Sequence, residues 1–235
     1  MKFIRIGFFA CALAIVLQGC APVQQKPVSL DTSFWQESKG VVGIAMESVP
    51  QPQTYFLGQQ GLLDIAINSS NAKPMASSIQ SIDTQRVTQI ADNLEKRLQA
   101  RGFTVKRLTD TINSNSYPER KSSVDPEHSA LRDFTALKSS NGIDRLLLVT
   151  VERLGTERGY YGFVPTSPPK AIISIKGQLI DLSDHKLLWF HSEDAGAAIP
   201  EPWDQAPEFA NVVATVKENM EQGCKQFEQA MFTTQ

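Results

Sequence analysis

Val87, Ile90, Ala91, Leu94 and Leu98 fall at i, i+3, i+4, i+7 and i+11, the spacing of one apolar stripe along an α-helix. A stripe of this kind has to be buried, and its neighbours in the chain supply a surface for it. Asp83 or Thr84 stands where an N-cap belongs, and Gly102 follows the last turn, where Lys96, Arg97 and Arg101 complement the helix dipole. Phe103–Leu108 then alternates as a strand, and Gly40–Ser48 upstream is a short apolar run that reads as a central strand. A strand, an amphipathic helix and a second strand in that order predict parallel pairing through a crossover, with the helix packed on the sheet.

The pattern continues downstream. Residues 109–128 are polar and proline-containing and read as an exposed loop. Ser129–Asn141 reads as a helix closed by Gly142, and Ile143–Leu154 as a third strand rich in Leu and Val. Residues 155–170 form an aromatic and proline-rich excursion. Ala171–Leu182 and Lys186–Ser192 make a hairpin around Ser183, Asp184 and His185. Asp204–Met231 is a long amphipathic helix with Phe209, Val213, Val216, Met220, Cys224, Phe227 and Met231 on its apolar side. Gly61–Asn68 is read as a short helix. The fold class expected is α/β (α+β), a mixed sheet in the order β-α-β-α-β-β-β-α with helices packed on it.

The amino terminus carries an address. Lys2 and Arg5 precede an apolar run, Ile6–Leu17. As a helix, those twelve residues span about 18 Å, short of the roughly 30 Å hydrocarbon core of a bilayer. A secretory signal fits the charge and length. It ends Leu17-Gln18-Gly19-Cys20, which resembles the lipobox of bacterial lipoproteins. The resemblance implies that residues 1–19 are removed, that the Cys20 thiol carries diacylglycerol, and that the chain is anchored firmly by several acyl chains. Ala21 would become the second residue, not the aspartate that favours inner-membrane retention, so the resemblance implies an outer-membrane anchor facing the periplasm. Residues 20–38, with two prolines and several Gln and Ser, read as a lipidated tether, with Phe34 and Trp35 docking near its end, and residues 39–235 as a single globular domain.

Little chemistry is visible in the rest. The net charge is −2, and a mildly acidic chain without a basic stripe argues against nucleic acid as a partner. Of three cysteines, Cys11 leaves with the signal and Cys20 carries lipid, so Cys224 has no partner for a disulfide within one chain; its place on the last stripe marks it as a small buried residue. His128, His185 and His191 lack metal-ligand spacing, and no G-x-S-x-G elbow occurs. No catalytic residue, metal or cofactor is assigned. Asp181 and Asp184 flank a turn, where carboxylates cap backbone N–H groups. Leu62–Ile67 after Gly61 reads as a turn and a core-facing helix, with a docking surface as the competing reading, and the glycine-flanked aromatics Tyr160, Tyr161 and Phe163 suit contact with a partner. For the aromatics, folding back onto the sheet edge is the competing reading.

The element order, with IKGQLIDLSDHKLLW (residues 175–189) as a closing hairpin, resembles the amino-terminal domain of TolB and the related domains of the curli secretion lipoprotein CsgG, the synthase activator LpoB and the flagellar protein FlgT. The expectation is an outer-membrane-anchored lipoprotein that acts as a non-enzymatic accessory, scaffold or regulator of an envelope assembly or secretion system through protein contacts. Its partners would be the membrane, through lipid on Cys20, and envelope proteins, with a homo-oligomer compatible. The alternative is a periplasmic hydrolase or small-ligand binder.

Overall fold

The computed structural model describes residues 25–36, 40–108, 111–120, 125 and 127–233. Its strands are β1 (Val42–Met46), β2 (Gln53–Gln59), β3 (Val105–Arg107), β4 (Arg145–Tyr161), β5 (Val164–Pro165), β6 (Lys170–Asp181) and β7 (Leu187–Ala198). Its helices are α1 (Leu62–Gln80), α2 (Gln85–Gln99), α3 (Thr135–Asn141) and α4 (Ala210–Ala230). The strands form one mixed sheet in the order β3-β1-β4-β6-β7, and β2 and β5 pair with the far half of β4. As expected from the crossovers, β1 runs parallel to both β3 and β4, and β6 and β7 complete the sheet antiparallel. The α/β class with helices on a mixed sheet holds.

Three elements depart from the expected order. Residues 53–59 form a strand, parallel to the end of β4. The helix at Gly61 does not stop at Asn68 but runs to Gln80, through Pro74. It buries only Asn68, Ala72, Met75 and Ile79, a line of i, i+4, i+7, i+11 so narrow, and so interrupted by Asn, Ala and Ser, that hydrophobicity alone does not reveal it. The aromatic excursion is mostly strand: β4 extends to Tyr161, turns at Gly162 and returns as β5. The other bounds shift by shorter lengths. The helix expected from Ser129 begins at Thr135, and the one expected from Asp204 begins at Ala210, after two residues, Glu208 and Phe209, of positive φ. Strand β7 runs past Ser192 to Ala198.

One face of the sheet carries the larger core. The α2 stripe, Val87, Ile90, Ala91, Leu94 and Leu98, is fully buried there with Val42, Ile44, Leu147 and Val149 of the sheet and Val216, Cys224 and Phe227 of α4. A Cβ on Gly223 would lie 2.5 Å from Ile173 Cγ2, so the absence of a side chain lets α4 approach the sheet closely. Between the helices, Arg86 bridges Glu228 and Glu221, both at 2.8 Å, and Asn93 donates to Glu228 at 3.0 Å. On the opposite face Leu146, Leu148, Ala45 and Ile180 pack against Phe134 and Leu137. Strand β4 is therefore buried on both sides along its first half, which accounts for its unbroken Leu/Val run.

The described part of the expected tether is not a free spacer. Residues 25–36 lie along the body as a strap. Val28 and Phe190 exchange two backbone hydrogen bonds of 2.9 Å, antiparallel to β7. Asp31 caps a 3₁₀ turn, Thr32–Trp35, by accepting from Ser33 N–H. Phe34 is buried and stacks on Phe103, with ring centroids 5.0 Å apart, and Trp35 meets Phe103 edge-on at 5.8 Å. Burial of the Phe34 ring and partial burial of Trp35 contribute against the cost of ordering the segment, together with its backbone hydrogen bonds to Phe190. Docking of Phe34 and Trp35 was legible; the laying down of the residues before them was not.

Cys224 has no exposed surface, and burial pushes its thiol up to about 12. The folded protein should therefore resist alkylation of Cys224 by iodoacetamide at pH 8 and react in urea, with peptide mass as the readout.

Candidate functional site

Two regions of the surface stand out, a polar cleft and an apolar tip. The cleft lies on the sheet face that α3 leaves uncovered. It has a volume of about 690 Å³ and is floored by Thr150 and Glu152 of β4, Lys176 and Gln178 of β6, and Ser192 and Asp194 of β7. Most of its charges already answer one another, and Arg132 donates to Tyr117 O and Asn115 Oδ1. Lys176 Nζ is 2.7 Å from Glu152, and Arg153 is 3.0 Å from Glu157 and 3.6 Å from Asp194. Asp194 also accepts from Ser174 Oγ at 2.5 Å, and Glu47 accepts from Ser114 N–H at 2.8 Å. A ligand entering here would have to displace hydrogen bonds the protein has already made.

The tip is built by three local devices. First, β2 lies alongside the end of β4, from Gln53 opposite Gly155 to Gln59 opposite Tyr161. At Gly155 (φ +131°) and Gly58 (φ +96°) a Cβ would come within 2.1 Å of a backbone oxygen on the paired strand, so glycine is required at both ends of this ladder. Second, Gly61 starts α1, and its N–H donates to Asp64 Oδ2 at 2.8 Å, the carboxylate half of a capping box. Third, the β4–β5 turn is pinned to α1 by Asn68. This buried side chain donates through Nδ2 to Gly162 O at 3.1 Å and to Gln60 Oε1 at 2.8 Å.

These devices bring together the two stretches singled out in the sequence. Eight of the nine large hydrophobics exposed among the described residues belong to β2, the first turns of α1 or the β4–β5 hairpin. Leu62 is 90% exposed, Leu63 74%, Tyr161 70% and Phe163 59%, so Leu62–Ile67 is not the core-facing helix expected: α1 turns Asn68, Ala72, Met75 and Ile79 to the body and its first turns outward. Tyr160 differs. It is only 7% exposed and packs its ring against Phe56 at 5.6 Å. Strand alternation separates it from Tyr161: successive side chains take opposite faces of β4. Tyr160 therefore belongs to the structure of the tip, and Tyr161 and Phe163 to its surface.

The remaining candidates take ordinary positions. Cys20 lies outside the described residues. Asp181 accepts from Ser183 N–H and Asp184 from Lys186 N–H, as turn caps. His128 pairs with Asp125 at 2.8 Å, His185 lies 3.8 Å from Asp133, and His191 is 3.2 Å from Glu193. Among the described residues no three His, Cys, Asp or Glu side chains converge as a metal site. No described helix is long and apolar enough to cross a membrane.

No protein-family model matches the chain, and no curated protein matches it. Solved structures do. Protein XCC0632 from Xanthomonas campestris is 12% identical, with 87% of this chain and 89% of that one covered and a TM-score of 0.38. Lipoprotein GNA1162 from Neisseria meningitidis is 15% identical, covering 78% and 99%, with a TM-score of 0.27. The LpoB C-terminal domain from Salmonella enterica is 11% identical, covering 73% and 87%, with a TM-score of 0.21. At TM-scores below 0.5 these likenesses carry no argument about function.

Proposed function

We propose that this chain is a bacterial lipoprotein, acylated on Cys20 and held at the outer membrane facing the periplasm, that works as a non-enzymatic accessory, scaffold or regulator of an envelope assembly or secretion system through protein contacts. The observation that carries this reading is the apolar tip. Contiguous exposed apolar side chains at one end of a domain mark a contact surface, and here a capped helix, two required glycines and a buried asparagine hold it in place. The lipid confines the domain to a surface, which raises its effective concentration for neighbours there, so a modest interface is sufficient. The 690 Å³ cleft supports the second reading, a small-ligand binder, since its size is that of small-molecule sites.

Pull-down of the lipidated protein from crosslinked envelopes tests the first reading. Leu62→Asp with Leu63→Asp should reduce partner capture several-fold while leaving the melting temperature unchanged, because both side chains are exposed. Unchanged capture would remove the tip from the function. The anchor is checked separately: Cys20→Ser should abolish incorporation of a fatty-acid probe and leave an unprocessed or mislocalised precursor, and label surviving in that variant would reject the assignment.

A further inference from the structure

The strap and the tip are related by direction. Because Val28 pairs antiparallel with Phe190, the strap, followed backwards from Val28 to Gln25, runs the same way along the sheet as β7 does from Phe190 to Ala198. Register carries that direction onward: Ala198 is level with Lys170, and Lys170 with Glu157, four residues short of Tyr161. The described strap, followed from Val28 back to Gln25, therefore runs toward the apolar tip. Gln25 lines the cleft beside Ser192 and Asp194, well up β7. Cys20 precedes Gln25 by five residues, which span at most about 17 Å when fully extended. From the level of Gln25 to the β4–β5 turn is about nine strand residues, or roughly 30 Å.

We infer that the tip seats in the interface of the same bilayer that holds the Cys20 lipid, with Leu62, Leu63, Tyr161, Phe163 and Val164 entering the headgroup–acyl boundary. This rests on acylation of Cys20 and on the tip as the contact surface proposed above: seated in lipid, the tip orients the domain toward its protein partners, and the loss of capture expected of Leu62→Asp with Leu63→Asp follows from lost orientation. Three observations favour lipid over a protein groove. The tip is a hairpin turn beside the first turn of a helix. Its large exposed side chains are mostly aliphatic and aromatic, with Gln59 among them, and aliphatic and aromatic side chains partition into roughly the first 5–10 Å of the interface. And a leash of at most about 17 Å leaves the tip at or beyond the attachment point whenever the strands lean toward the membrane. The polar sheet face with its cleft is then turned aside from the bilayer, available to proteins that meet the domain on the membrane.

The test uses the full lipidated chain in vesicles of phosphatidylethanolamine and phosphatidylglycerol containing brominated phosphatidylcholine. Phe163→Cys offers an accessible thiol for an environment-sensitive maleimide dye, because Cys224 is fully buried and Cys20 is acylated. Ser139→Cys, on exposed α3 before the start of β4, is the control at the other end. The label at 163 should shift to the blue and lose about half its emission to bromine, the label at 139 should lose almost none, and Leu62→Asp with Leu63→Asp should bring the 163 signal to the level of 139. Emission unquenched at both sites in protein that still floats with the vesicles would overturn the lipid seating and leave the anchor intact, with a protein then occupying the tip. Protein that fails to float would overturn the anchor and the inference together.

Discussion

Leu94→Asp is expected to abolish the cooperative fold or come close to it. Leu94 has no exposed surface and sits in the middle of the α2 stripe, in the core shared by α2, the sheet and α4. The substitution removes buried methyl groups and places a carboxylate where no cation or donor is aimed. Truncation alone costs 2–5 kcal/mol, and the unpaired polar group adds to it, so a loss of about 5 kcal/mol or more is expected. That is comparable to the whole stability of an ordinary domain. Burial raises the folded-state pKa of such a carboxyl above its unfolded value, so the penalty is largest above the raised pKa, eases as pH falls from there toward about 4, and is constant below that. Asp92, two residues away, has a largely exposed side chain 3.5 Å from Arg107, and Asp92→Lys should cost about 0.5 kcal/mol. Urea melts of the two variants check the assignment; equal shifts in midpoint would contradict the orientation of α2.

Tyr160→Ala is expected to cost about 3 kcal/mol, and Tyr161→Ala less than about 0.5 kcal/mol, although the residues are adjacent and identical. The first removes a ring packed on Phe56, beside which the Arg158 guanidinium lies 5.8 Å from the Tyr160 centroid. The second removes a ring that is 70% exposed. The same pair should behave oppositely in function. Tyr161→Ala should weaken attachment of the tip while the thermal melt stays put; Tyr160→Ala should weaken it only to the extent that the tip loses its shape. A large melting shift in Tyr161→Ala would mean that its side chain is covered in the protein as it exists in solution.

What the sequence determined by itself was whatever depends on a repeat within one element or on a signal read along the chain. The α2 stripe, the apolar run of β4, the β6–β7 hairpin with its aspartate caps, and the burial of Cys224 are of this kind, because the period of a helix or strand is written in neighbouring residues. The parallel pairing of β1, β3 and β4 follows from the same local order. The tertiary structure alone decided the rest. Gln53–Gln59 is a strand because the end of β4 lies beside it, and two glycines permit backbones to approach where any side chain would collide. Residues 69–80 are helical against a thin apolar line that the sequence barely shows. Leu62–Ile67 and the Tyr161–Val164 hairpin are nearly a hundred residues apart, and no periodicity links them; a buried asparagine reaching from the helix to Gly162 does. The strap is laid down by Val28 pairing with Phe190 and by Phe34 stacking on Phe103. Its composition alone describes a flexible spacer. The apolar area that holds it belongs to residues distant in the chain, and burial energy depends on the surface presented by the partner as much as on the segment that binds it.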